Sequence, residues 1–141
     1  MAALLAGGAA VFIVCLPAAD VGRMAIPLVL FALLCFSNCA LISVWEDEVD
    51  RSHGQTSLAL QFGWAAALSR ALPWGLSAAA AAAWIADMPH ARAASACAAL
   101  SGILLGLTDL AEPRIGRIRA RVLADLALMT PLLLLAPWGS R

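Results

Sequence analysis

An all-α polytopic bundle of about five transmembrane helices is the architecture this sequence predicts, and three observations predict it. Hydrophobic residues make up 63% of the 141 residues and charged residues 13%, against roughly 45–50% and about 25% in soluble domains. The mean hydropathy is +0.90. Apolar runs long enough for a bilayer, about 20 residues each, occupy nearly the whole chain and leave no sizeable water-soluble domain. Lastly, one polar segment interrupts the oily sequence, Glu46-Asp-Glu-Val-Asp50-Arg-Ser-His-Gly54-Gln-Thr56.

The runs follow in order. Ala2 to Ala18 has no basic residue ahead of it, so it reads as a first span rather than a cleaved signal peptide. A short connection, Ala19 to Arg23, leads to the second run, Met24 to Trp45. The acidic loop from Glu46 to Leu60 comes next. The third run, Gly63 to Ala86, contains Arg70, Pro73 and the small-residue stretch Ser77 to Ala83, whose size permits close helix approach in lipid. Asp87 to Ala91 joins it to the fourth run, Ala91 to Leu107, and Asp109 to Arg121 leads to the fifth, Val122 to Trp138. Short connections make consecutive spans antiparallel neighbours. Trp45, Trp64, Trp84 and Trp138 lie near span ends, where an amphipathic indole anchors at the interface. Pro27, Pro73 and Pro131 fall inside runs and are expected to kink them.

Net charge is zero and all nine basic residues are Arg, a usage that fits a GC-rich bacterial genome. Arg114, Arg117, Arg119 and Arg121 concentrate in one connection, which the positive-inside rule makes cytoplasmic. Three spans follow the acidic loop, so that loop falls on the same face. The expected location is a bacterial inner membrane, with lipid around the chain and no nucleic acid among its partners. Cys15, Cys35, Cys39 and Cys97 all sit in apolar runs without a CxxC pair, and are expected to pack as small hydrophobes. His53 and His90 fall in loops on opposite faces and make no site together.

The acidic loop carries the candidate chemistry. Glu46 and Asp50 are four apart, so a helix that continues past Trp45 places them one turn apart on one face. Like charges there repel by roughly 0.2–0.5 kcal/mol, a penalty that a divalent ion or an arginine removes. Mg2+ takes one or two carboxylates together with substrate phosphate oxygens and retained waters. The plain alternative is a solvated cap on a helix end. Asp125 lies four residues after Arg121, spacing that predicts an ion pair at the interface. Arg70, about two turns into its span, is expected either to snorkel to the surface or to reach the acidic mouth.

The longer pattern Glu46…Asp50-Arg51-x-x-Gly54-x-x-Ser57-Leu58-Ala59-x-x-x-Gly63 resembles the second acidic motif of the UbiA superfamily of intramembrane prenyltransferases. That resemblance implies a helical membrane bundle with a central cavity and polar loops over its cytoplasmic mouth. It further implies prenyl transfer from a polyprenyl diphosphate to an acceptor with Mg2+, Glu46 and Asp50 as metal ligands, and Arg51 as a diphosphate contact. Arg70 is a second substrate-binding candidate. Glu46 stands where the family carries Asp, and Ile42 and Ser43 stand where it carries Asn or Asp. Before Met24 the acids reduce to Asp20, so the family's first acidic motif has no counterpart. The resemblance thus maps the chain onto the C-terminal half, spans five to nine. A second chain supplying the N-terminal half is one expectation; a gene fragment and a non-catalytic offshoot are the others.

Two other classes remain open. A membrane scaffold or lipid-binding bundle needs the acids only as caps. A small transporter needs polar residues facing a cavity at mid-membrane, for which Asn38, Arg70 and Asp125 are the candidates.

Overall fold

Four helices make up the computed structural model, which describes residues 18–52, 63–86 and 92–130, with side chains over 25–46, 63–86 and 92–130. They are α1 (Ala18–Ser52), α2 (Ala65–Ile85), α3 (Arg92–Ile115) and α4 (Arg117–Leu128). Among the described residues there is no strand. Two segments are long and apolar enough to cross a membrane, Ala25–Glu46 within α1 and Arg92–Ile115, the whole of α3. Five spans were expected. The first lies outside the described residues, and the fifth is described only to Thr130. The third coincides with α2, whose Arg70, Pro73, Trp74 and Gly75 dilute its apolar character.

Two of the expected connections are helical, and the acidic loop expected over 46–60 is helix as far as it is described, to Ser52. α1 begins at Ala18, so 19–23 is its first turns rather than a loop. Asp109 to Arg121 is helix on both sides of a single break at Gly116. An apolar run ends where polar residues begin, but a helix ends where its backbone must, and Gly116 meets that condition at φ 83° and ψ 155°. That region is essentially restricted to glycine. Its amide still donates to the Glu112 carbonyl at 2.9 Å, and its carbonyl accepts from Ala120 at 3.0 Å, so one residue closes α3 and opens α4.

α1 packs on the other three helices, and α3 packs on α1, α2 and α4. α2 and α4 do not touch, so the α1–α3 pair separates them. Leu30, Leu34, Leu41 and Trp45 recur on the inner face of α1 and meet Leu76 and Ala80 of α2, Ala98 and Leu105 of α3, and Ala120, Ala124 and Ala127 of α4. The α2–α3 contact is tight because it uses small residues. A Cβ on Gly102 would come within 2.8 Å of the Pro73 carbonyl oxygen, and one on Gly106 within 2.6 Å of the Trp74 ring. Pro73 has no amide to donate to Ser69, and its own carbonyl accepts the Ser77 hydroxyl at 2.7 Å.

The surface inverts the pattern of a water-soluble bundle. Val29, Phe31, Leu33 and Phe36 of α1 and Leu100, Ile103, Leu104, Leu107 and Leu110 of α3 are exposed, whereas Ser37, Asn38, Ser95, Ser101 and Thr108 are buried.

Candidate functional site

The charged end of the bundle is assembled from all four helices. α1 runs unbroken through Ser52, which meets the helical condition set for the acidic pair and puts positions 46 and 50 one turn apart. Of the four nominated residues, Glu46 and Arg70 fall among the described side chains; those of Asp50 and Arg51 lie outside them.

Glu46 is ion-paired with Arg121 of α4, both side chains being partly exposed. The arginine thus supplies Glu46 with a counter-charge. Arg121 was expected to pair with Asp125 within α4, but the structure joins each to α1. Asp125 accepts from the Asn38 amide at 3.3 Å, while Arg121 reaches Glu46. The reason is orientation: as residue numbers fall along α4 they rise along α1, so the helices are antiparallel and the polar side of α4 meets α1 rather than itself. Asn38 Oδ1 is buried with no hydrogen-bond partner.

Arg70 points to a residue not nominated from the sequence. Its Nε lies 3.9 Å from Asp109 Oδ1 of α3, with the guanidinium side chain 60% exposed and the carboxylate 9% exposed. The same oxygen accepts the Trp45 indole N–H at 2.9 Å. Trp45, expected as an interfacial anchor, is instead 4% exposed and part of the core. Its indole is inside because Asp109 supplies the acceptor that a buried N–H requires. Trp64 and Trp84, at the two ends of α2, are exposed, as interfacial anchors would be. The missed signal was Asp109 itself, an acid just past an apolar run and four residues before Pro113, which reads as a loop until the helix is known to continue.

An apolar groove of about 260 Å³ lies between α1 and α2, lined by Phe36, Cys39, Ser43, Trp64, Leu68 and Leu72 among others. Ser43 is three residues before Glu46, and the groove also takes in Ser69, next to Arg70. It is somewhat smaller than the roughly 300–1,000 Å³ typical of whole-ligand pockets, a size suited to a stretch of hydrocarbon chain. Cys35, Cys39 and Cys97 are free thiols. A second polar cluster ties α3 to the end of α4: the Ser101 and Thr130 hydroxyls share a hydrogen bond, and the Thr130 hydroxyl donates to the Cys97 carbonyl at 3.3 Å.

No group of three or more His, Cys, Asp or Glu side chains is gathered for a metal among the described residues. The geometry thus defines a helical bundle with two helices long and apolar enough to cross a membrane, a paired-charge cluster at one end and an apolar groove beside it. No protein-family model matches the chain, and neither a curated protein nor a solved structure matches it.

Proposed function

We propose that the chain is a membrane-embedded, UbiA-like half of a prenyltransferase that holds a polyprenyl diphosphate with Mg2+ at the cytoplasmic end of α1. One observation supports this above the rest. The apolar stretch Ala25–Glu46 continues as the same helix to Ser52, so a membrane-length helix carries positions 46 and 50 one turn apart at its end. The α1–α2 groove begins within a turn of that end. A prenyl tail would follow Phe36, Leu68 and Leu72 while its diphosphate stays at the charged mouth.

The Mg2+ assignment rests on the carboxylates at positions 46 and 50, the hard oxygen donors that Mg2+ takes together with phosphate oxygens. Glu46 is a hard oxygen ligand, partly exposed, and its present counter-charge is a guanidinium. Glu46 and Asp50 would hold Mg2+, which supplies Lewis-acid stabilisation of the diphosphate leaving group. Arg51 and Arg70 would bind phosphate oxygens, for which a planar guanidinium is suited. Arg121, which pairs with Glu46, would be a third positive group at the mouth when Glu46 holds the cation. The C–O bond to the diphosphate breaks with its electron pair on oxygen, and an acceptor captures the allylic carbocation and loses a proton. One acidic motif reaches the diphosphate from one side, so a partner chain would supply the other half.

A second reading is supported by the ion pairs. Glu46–Arg121 and Arg70–Asp109 neutralise the mouth internally, as a non-catalytic, lipid-binding scaffold would require. Calorimetry of farnesyl or geranylgeranyl diphosphate with detergent-solubilised protein separates the two. The prenyltransferase reading expects binding that needs Mg2+ and vanishes in the Glu46→Gln/Asp50→Asn variant. Absence of binding at millimolar ligand, or equal binding by that variant, would leave the scaffold.

A further inference from the structure

Asn38 and Asp125 bring oxygen acceptors together where no positive side chain meets them. Asn38 lies in the apolar stretch Ala25–Glu46, about 12 Å along the helix from Glu46, and is 6% exposed. Its Nδ2 donates to Asp125 Oδ1 at 3.3 Å, while its Oδ1 is buried with no hydrogen-bond partner. Asp125 is exposed. α1 carries no charged residue from Leu34 to Trp45, and the next charge back along α4, Arg121, is held by Glu46. Among the described residues no arginine pairs with Asp125. One unbalanced negative charge and one orphan carbonyl oxygen therefore share an apolar setting, where each is costly. A half-turn about χ2 exchanges the two ends of the carboxamide, which are alike in size, and puts Oδ1 where Nδ2 stands. Two oxygens then face each other at the same 3.3 Å. A proton shared between oxygens draws them to about 2.5–3.0 Å. Two ligands about 2.4 Å from one cation, the usual contact of oxygen with an ion of Ca2+ size, stand roughly 3.4 Å apart when they subtend a right angle. A single carboxylate balances a single positive charge, so the ion of that size is monovalent.

We propose that Asn38 and Asp125 hold a monovalent cation of Na+ size, with the Asn38 carboxamide oxygen and the Asp125 carboxylate as its protein ligands and water on the exposed side of Asp125. The ion satisfies the orphan oxygen and the unbalanced charge at once, and it ties α1 to α4 through the two side chains that the hydrogen bond joins. A divalent ion would leave a positive charge in apolar surroundings. The assignment does not depend on the prenyl diphosphate reading, whose carboxylates are Glu46 and Asp50.

The test uses the full chain in detergent micelles, melted in NaCl, KCl or choline chloride at equal ionic strength. Na+ should raise the melting temperature above its value in choline, and the larger K+ should raise it less. Asp125→Asn should lose that difference and Asn38→Leu should shrink it. Because Na+ and choline are compared within each variant, a lower starting stability does not enter. Equal melting of the native protein in Na+ and choline, or a response to Na+ that survives either substitution unaltered, would overturn the proposal. An equal response to K+ would overturn the assignment by size. Should the variants fail to fold, dicyclohexylcarbodiimide decides on the native protein, since it modifies carboxyl groups in apolar surroundings. Labelling of Asp125, mapped by peptide mass, should be slowed by Na+ and not by choline. Labelling that is indifferent to Na+ and follows pH alone would show a proton site and overturn the ion.

Discussion

Asp109 holds the least replaceable polar contact at the charged end, because a buried carboxylate oxygen there accepts one short hydrogen bond from Trp45 and has its arginine at 3.9 Å. Trp45→Phe keeps the ring in the core but removes the donor, and an unsatisfied buried acceptor costs about 1–3 kcal/mol. Thermal unfolding in detergent should show that loss, and the loss should shrink when Trp45→Phe is combined with Asp109→Leu; strictly additive losses would mean that the two side chains are not coupled. Glu46 should behave differently. Its pair with Arg121 is partly exposed, and such pairs contribute about 0–1 kcal/mol. Glu46→Gln should therefore leave the melting temperature nearly unmoved while abolishing Mg2+-dependent diphosphate binding. A variant that melts far lower would recast Glu46 as a structural residue. These two acids were unequally legible: Glu46 stood out within an acidic motif, whereas Asp109 and its indole partner are 64 residues apart, a pairing that only the packing of α1 on α3 reveals.

Helices show where reading apolar length succeeds and where it stops. The third predicted run, Gly63 to Ala86, and α2 agree to within two residues at the start and one at the end, because Gly63 and Trp64 form a turn just where the apolar run starts. The fourth run was placed at Ala91 to Leu107 but α3 continues to Ile115, since charged residues do not end a helix and glycine with positive φ does. Gly116→Ala should accordingly cost roughly 1–3 kcal/mol through backbone strain alone. The α2–α3 contact sorts the other glycines. Gly102→Ala and Gly106→Ala push a methyl into the Pro73 carbonyl and the Trp74 ring, and overpacking of that kind costs about 1–3 kcal/mol. Gly75, in the middle of α2, has open space where its Cβ would be, so Gly75→Ala should raise stability by about 0.5–1 kcal/mol. Thermal melts of the four variants check the set, and a stabilised Gly102→Ala would show that the helices are further apart than described. The Gly102-x-x-x-Gly106 spacing was visible in the sequence all along, but the Ser77 to Ala83 run drew the packing argument to α2.

Taken whole, the molecule places polar side chains inside and large apolar ones outside, and each half of that pattern constrains its surroundings. Ser95, Ser101 and Thr108 on the inner face of α3 permit close packing without bulk, while Leu100, Ile103, Leu104, Leu107 and Leu110 on its outer face are exposed. A hydrocarbon solvent would reconcile the two, and two helices are long and apolar enough to cross one. α3 has 24 residues and so is about 36 Å long, against a hydrocarbon core of about 30 Å. If α3 crosses the bilayer, its two ends lie on opposite membrane faces. The positive-inside rule then predicts the arginine-rich α3–α4 turn on the cytoplasmic face and the start of α3 on the other. This can be measured in a cysteine-free background with single cysteines at Met88 and at Arg119. A membrane-impermeant maleimide should label Met88→Cys from outside intact cells and Arg119→Cys only in inverted vesicles. Labelling of both from the same side would mean that α3 does not cross, and a chain with that behaviour would be a bundle lying on the bilayer rather than through it.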